Sequence, residues 1–479
     1  MFTGPATAQP KHQASPQYPQ SPEVEYVVNE AALPFEVLPG TTTTRTWGVL
    51  QGAGYRIEVP ADWNGDLVMW AHGYRGTGPT LTVDSPPDGL RQHLVDEGYA
   101  WAASSYTENG YDVVSGVKST HRLLRYFEKT VGKADLTYLS GVSMGGHVTG
   151  VSIEQYPNDY DGALPACGVM GDRRLFDTFL DYNAAAQALT DTPPVYPAPA
   201  DYLTTTVPQM KAELGTPYPF VLTGAGADVR ALTEQRTGGD RPLFEAGFAA
   251  FADFLFTVYP VYPGLGEGRG AVGGNADTVY QLDADPELMA EEQALNEEIL
   301  RVRADRGSRG LSGVPTIDGR FDVPVLTLHG LGDLFVPFSM EQEYARDAAA
   351  RGNSDLLVQR AIRSVAHCDF SAQEYQQAFT DLVAWVENGV RPAGDDVLDA
   401  AVVADPQYGC RFTVPLRPYD AGACRSVGTG GRHMGPRAVT SVRPGPPAAP
   451  VARPGPGGGR RCRAPRAAPG RAGSRRRAG

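Results

Sequence analysis

The sequence predicts an α/β protein: a mostly parallel central sheet with helices on both faces, carrying a large, mainly helical insertion. Three observations point there. Short apolar, β-prone runs alternate with helix-compatible segments along Thr46–Cys167 and again from Val323 onward, the pattern of strands buried on both faces by crossover helices. The stretch ADLTYLSGVSMGGHVTG, Ala134–Gly150, reads as strand, sharp turn and helix, with Ser143 at the apex. Between Gly171 and Phe321 the rhythm breaks, over a length that an ordinary connection does not reach.

Met1 to about Glu23 is rich in Pro, Gln and Ser, and residues 1–45 are expected to form a flexible segment. Thr46–Pro60 reads as a hairpin around Gln51-Gly52-Ala53-Gly54. Asp66–Trp70 is a buried strand running into the loop His72-Gly73-Tyr74. A helix over Asp88–Gly98, a strand over Tyr99–Tyr106 and an amphipathic helix over Tyr111–Val131 follow, the last with Val114, Val117, Leu123, Leu124 and Phe127 at near-helical spacing. Asp135–Ser140 is the strand entering the Ser143 turn, a helix runs through Tyr156, and Asp161–Cys167 is the next strand.

Residues 46–170 and 322–395 make the core, with 171–321 inserted as a lid or cap. Helices are expected there at Ala200–Leu214, Arg241–Phe256 and Pro286–Asp305, with a Gly-rich loop, Gly264–Gly274, between the last two. The aromatics Phe244, Phe248, Phe251, Phe254, Phe256, Tyr259 and Tyr262 read first as the insertion's own core, with substrate contact as a second role. The core resumes at the strand Val323–Leu328, then a helix over Ser339–Arg351 capped by Ser339. A strand over Leu357–Val365 and a last helix over Ser371–Asn388 follow, stopped by Gly389 with Pro392 beyond it. Residues 396–426 are a C-terminal extension and 427–479 a basic tail.

Of 479 residues, 42% are hydrophobic and 20% charged, as in ordinary globular chains. No apolar run is long enough to span a bilayer. The formal net charge is −13, yet the twelve arginines from Val427 to Gly479 face no acid, so the body is more acidic still. Such a surface argues against nucleic acid as the body's partner. The Pro-, Gly-, Ala- and Arg-rich tail is expected to be disordered, and it reads equally well as out-of-frame translation of GC-rich DNA. The five cysteines fit neither a zinc ribbon nor a C-x-x-C site, and no metal or cofactor motif is present. Cys410 and Cys424 bracket a short polar segment. A disulfide there would close a loop of about 15 residues, worth roughly 3 kcal/mol, and would indicate an oxidising compartment. The N-terminus reads as the start of a mature secreted protein, with a cytoplasmic enzyme as the alternative.

In G-x-S-x-G, at Gly141–Gly145, residues without side chains flank a serine on a crowded strand-to-helix turn. The five residues alone are a weak signal; the flanking strand and helix, and the partners downstream, strengthen it. Attack by serine on a carbonyl needs a base to take its proton and an acid to orient that base. For this turn the chain order is nucleophile, acid, histidine. His367 and His433 follow a suitable acid, and His433 lies in the tail; His367, between a strand and the last helix, is the base. Asp333, on a glycine-lined turn after a strand, is the acid, with Asp172 as fallback. Asp369 is too near His367 and is read as a helix cap. His329 is read as a hydrogen-bonded structural histidine, and His147 as pointing into helix packing. Two backbone donors must meet the developing oxyanion: the N–H of Met144, and the N–H of Tyr74.

These residues carry a resemblance. H-G-Y at His72–Tyr74, G-V-S-M-G-G at Gly141–Gly146, H-G-L-G-D at His329–Asp333 and A-H-C at Ala366–Cys368 resemble the α/β-hydrolase superfamily over about Thr46–Arg391 outside the insertion. The cluster Y-D-G-A-L-P-A-C-G at Tyr160–Gly168 and the pair His367-Cys368 are similar to secreted bacterial esterases of the feruloyl-esterase and tannase type. In that group a cysteine before the serine bonds the one after the histidine. Here Val142 holds the first position, and the resemblance leaves Cys167 as the partner of Cys368. It implies an ester hydrolase acting on a small-molecule or polymeric ester through Ser143, His367 and Asp333, without a cofactor. A peptidase of prolyl-oligopeptidase type and a polyester depolymerase are the alternatives. The former type carries a propeller ahead of its core, where about 60 residues stand here. A non-catalytic binding protein would not need the triad, and a dehalogenase or epoxide hydrolase would need an aspartate in place of Ser143.

Overall fold

The computed structural model describes residues 24–216, 221–261, 272–304, 314–420 and 422–424. The tail 427–479 with His433 and Cys462, residues 1–23, Tyr262 and most of the Gly-rich loop lie outside them. Eight strands form one sheet: β1 Thr43–Leu50, β2 Ala53–Pro60, β3 Leu67–Ala71, β4 Ala100–Ser104, β5 Thr137–Val142, β6 Gly162–Ala166, β7 Val325–Gly330 and β8 Leu357–Ile362. Their order is β1-β2-β4-β3-β5-β6-β7-β8. The β1–β2 and β2–β4 pairs are antiparallel and the rest parallel. Gln51 and Gly52 both take positive φ (50° and 87°) between the paired Leu50 and Ala53, the two-residue turn whose twist matches a hairpin.

The helices are α1 Asp88–Asp96, α2 Val113–Thr130, α3 Met144–Gln155, α4 Arg174–Leu189, α5 Val207–Leu214, α6 Gly224–Arg236, α7 Phe244–Val261, α8 Ala290–Glu298, α9 Ser339–Arg351, α10 Ala372–Asn388 and α11 Ala400–Val403. α2 starts where the Asp112 carboxylate accepts the Ser115 N–H, and it buries Val113, Val117, Leu123, Leu124 and Phe127 against the sheet. One core lies on that face with the α4–α8 insertion; the other lies under α1 and α10, around Trp101, Tyr138 and Phe379. No described helix is long and apolar enough to cross a membrane.

Several expectations are corrected. Residues 24–42, expected to be flexible, are docked. Leu33 is 2% exposed, and Phe35 packs 5.4 Å from Trp101. Arg56 and Arg91 donate to the carbonyls of Leu33 and Glu36; Arg91 is itself held by buried Glu58. Ser339 does not cap α9: it is the first helical residue, its N–H donating to Thr237 O in the insertion. Asp369 does not cap α10; Ser371 does, in a capping box with Glu374, while the Asp369 carboxylate stands half-exposed 3.7 Å from Arg417. β8 stops at Ile362, because the Arg363 N–H turns away to Thr413 Oγ1. The helix expected over Pro286–Asp305 is confined to α8, because Val302 pairs with Asn275 through backbone and side chain. Helices α4 and α6 were not anticipated.

Glu154 on α3 pins the end of the insertion, accepting the N–H groups of Asp318 and Arg320 at 3.0 and 2.9 Å. Burial outweighs these bonds and pushes its pKa up to about 7. An acid whose folded pKa lies above its unfolded value loses stability for the fold as pH rises through that window, here from 4.5 to about 7. Glu154→Gln keeps the acceptor and removes the charge. It is expected to raise the melting temperature by about 2–4 °C at pH 8 and little at pH 5; thermal melts at both pH values check this.

Candidate active site

The parallel strands deliver three side chains to one sheet edge: Ser143 just past β5, Asp333 past β7 and His367 past β8. Ser143 sits at φ 57°, ψ −123°, a conformation a side chain adopts only under strong constraint. The constraint is crowding. A Cβ on Gly145 would lie 2.1 Å from Ala71 O, and one on Gly141 2.3 Å from Gly145 O. Behind the turn the Ser143 N–H is tied to Ala166 O, and Ser143 O accepts from Gly146 and His147.

His367 Nε2 lies 2.9 Å from Ser143 Oγ, and its Nδ1 2.6 Å from Asp333 Oδ2. The other Asp333 oxygen accepts the N–H groups of Phe335 and Val336 at 2.9 and 3.1 Å. Asp333 is 0% exposed, so these bonds replace its hydration. Its turn is fixed from three sides. Leu331 and Gly332 donate to Ile362 O and Ser364 O of the neighbouring chain segment. Buried Arg241 of the insertion donates to Leu331 O at 2.8 Å. His329 bonds Val336 O at 2.8 Å and lies 3.2 Å from buried Glu341, which helps raise its pKa against burial.

The loop after β3 passes against the serine: a Cβ on Gly73 would lie 3.1 Å from Ser143 Cβ and 3.7 Å from Oγ. His72 braces that loop, stacked 3.9 Å on Tyr106 and bonded through Nδ1 to Gly73 O at 2.7 Å. Burial pulls its pKa down to about 4, keeping it neutral. Tyr106 donates in turn to His72 O. Tyr74 follows, its ring half-buried against the core. Met144 opens α3, where N–H groups lack intrahelical acceptors.

Other residues singled out in the sequence lie elsewhere. Asp172, the fallback acid, follows β6 but accepts the Ile317 N–H at 3.1 Å, and burial pushes its pKa up to about 6. His147, expected in helix packing, spans Tyr111 OH (2.9 Å) and Pro315 O (2.7 Å), joining α3 to the insertion. Phe335 was missed: its ring stands edge-on to the His367 imidazole, centroids 5.0 Å apart.

Two disulfides are present among the described residues. Cys410–Cys424 closes the extension, with Cα atoms 5.5 Å apart. Cys167–Cys368 ties the end of β6 to the His367 loop, with Cα atoms 5.2 Å apart across 201 residues. His367 and the two sulfurs fall within 4.8 Å of one another, but the sulfurs are bonded together and both ring nitrogens are engaged, leaving no metal ligands. The second bond anchors the histidine loop. Mild reductant is therefore expected to lower activity several-fold before the core melts. Alkylation and peptide mapping check it; recovery of Cys368 as a free thiol from unreduced protein would contradict it.

The sheet order, with serine, acid and histidine following its fifth, seventh and eighth strands, decides the fold. This is an α/β-hydrolase fold. No family model matches the chain. It is similar to an o-phthalyl amidase of Xanthobacter agilis, 22% identical over 429 residues, spanning 75% of this chain and 91% of that protein. Among solved structures it is similar to an esterase from Aspergillus oryzae (TM-score 0.42, 14% identity, 73% of this chain and 81% of that one). It is also similar to feruloyl esterase B from Aspergillus oryzae (TM-score 0.40, 16% identity, 78% and 86%). Between β6 and β7 of this sheet, α4 and α7 bring Phe179 and Phe254 to the ring of Phe335.

Proposed function

We propose that the protein is a serine hydrolase that cleaves carboxylic esters through Ser143, His367 and Asp333. One observation carries the reading: an unbroken hydrogen-bonded line runs from buried Asp333 through both nitrogens of His367 to a serine held at φ 57°. His367 Nε2 takes the Ser143 proton as Oγ bonds the carbonyl carbon. Asp333 stabilises the imidazolium and holds its tautomer. The oxyanion meets the N–H groups of Met144 and Tyr74. Collapse breaks the bond to the alcohol oxygen, which takes the proton from Nε2. Water then repeats the sequence on the acyl-enzyme and returns the serine. The α4–α8 insertion serves as a lid. The two disulfides suit an oxidising, extracellular location.

Amide hydrolysis is the second reading, favoured by the similarity to an amidase; the same machinery would protonate an amine instead of an alcohol. Labelling with a fluorophosphonate, followed by turnover of p-nitrophenyl esters against nitroanilides, tests both. The expected result is a phosphonylated Ser143 and ester turnover. Labelling elsewhere, or none, would overturn the assignment, and faster turnover of the anilides would move it to amides.

A further inference from the structure

The aromatic side chains of the insertion divide into two sets. Phe244, Phe248 and Phe256 are 1–2% exposed and form its core. Phe251 and Phe254 are only half-buried, and they continue a row of rings that starts at the histidine. Phe335 stands edge-on to His367 at 5.0 Å, Phe254 edge-on to Phe335 at 4.8 Å, and Phe251 edge-on to Phe254 at 6.0 Å. Phe179 lies nearly parallel to Phe335 at 6.1 Å and backs the row. The rings come from the acid turn, α4 and α7, so the row exists only in the folded chain. Asp253, the acid beside Phe254 on α7, is turned to Lys211 at 2.7 Å.

The row's place beside the imidazole sets what it can recognise. His367 Nε2 must hand its proton to the departing atom, so that atom lies within hydrogen-bond reach of Nε2. Phe335 stands edge-on to that same imidazole and begins the row, so a group attached to the departing atom has these rings within reach. We infer that this row is the leaving-group subsite and that the favoured substrates carry an aromatic ring on the alcohol side, as in benzyl-type esters. Offset and edge-to-face ring pairs each favour binding by about two- to tenfold beyond area burial. Contact with two rings of the row therefore favours a benzyl over a methyl leaving group by about 30-fold or more once apolar burial is included.

This inference rests on the Ser143 reading, and its test keeps the two apart. With the acyl part held as acetate, kcat/KM is measured for benzyl, cyclohexylmethyl and methyl esters, and with the alcohol held as methanol, for phenylacetate against acetate. The expected order is benzyl, cyclohexylmethyl, methyl, with a smaller preference on the acyl side. Phe254→Leu and Phe335→Leu keep apolar volume and remove a ring. Each should cut the benzyl-to-cyclohexylmethyl ratio about three- to tenfold, in protein shown to be folded by its melting curve. A preference that resides in the acyl part, or a ratio that neither substitution moves, overturns the subsite. Failure of fluorophosphonate to label Ser143 overturns instead the reading on which it rests.

Discussion

Ser143→Ala is expected to lower kcat by about 10^5–10^6-fold while shifting the melting temperature by less than about 2 °C. The structure separates the two effects. Ser143 Oγ makes its hydrogen bond to His367, and alanine removes that oxygen alone. The Cβ that packs beside Gly73 is kept. The strain at φ 57° is common to both residues, so it does not change. Ser143→Gly forms the informative partner. It is equally without a nucleophile, but glycine enters positive φ without penalty, so it should be the more stable of the two by about 1 kcal/mol. Steady-state kinetics and thermal melts on the pair check both statements. Turnover in either variant above a residual fraction would show that another group attacks the substrate.

What the sequence disclosed followed from local rules. The strand-turn-helix around Ser143 was legible because its glycines are required by contacts within a short segment, Gly145 against Ala71 and Gly141 against Gly145. The strands β3 to β7 were legible as short, mainly apolar runs because a sheet covered on both faces has no polar side to interrupt them, whereas β8 carries Gln359 and Arg360 in its middle. Asp333 and His367 could be put in order along the chain, each at the end of a strand, although only the structure brings them to one hydrogen-bonded line with Ser143.

What stayed hidden depended on contacts between distant segments. Helix α4 buries nearly its whole circumference, including Asp177, Asp181, Asn183 and Gln187, so it shows no apolar stripe. Its polar residues are matched by partners far along the chain, as Asp181 is by Tyr280 and Arg236. The docking of residues 24–42 depends on Arg56 and Arg91 reaching across to their carbonyls. Phe335 sits two residues beyond the acid in a turn; nothing in its neighbours signals that rings from α4 and α7 will meet it beside His367.

Asp333→Asn is expected to lower kcat by about 10^4-fold with KM nearly unchanged, because it alters a proton's position and little else. The turn dictates how the new amide must lie. The N–H groups of Phe335 and Val336 point at Oδ1, so the asparagine oxygen must occupy that position. Its NH2 is then left facing His367 Nδ1. A donor there makes Nδ1 the acceptor and moves the ring proton to Nε2, the atom that faces Ser143 Oγ at 2.9 Å. In that tautomer Nε2 cannot accept the serine proton, and the serine remains an alcohol. Binding is untouched because no substrate contact has changed. Raising the pH should restore little, since the fault is a tautomer and not a protonation state. Asp172→Asn is the matched control: its carboxylate holds the Ile317 N–H, a bond the asparagine oxygen can keep, so kcat should move by less than about threefold. If the losses are reversed between the two variants, the orienting acid lies after β6 and the line drawn from Asp333 through His367 to Ser143 is not the one that works.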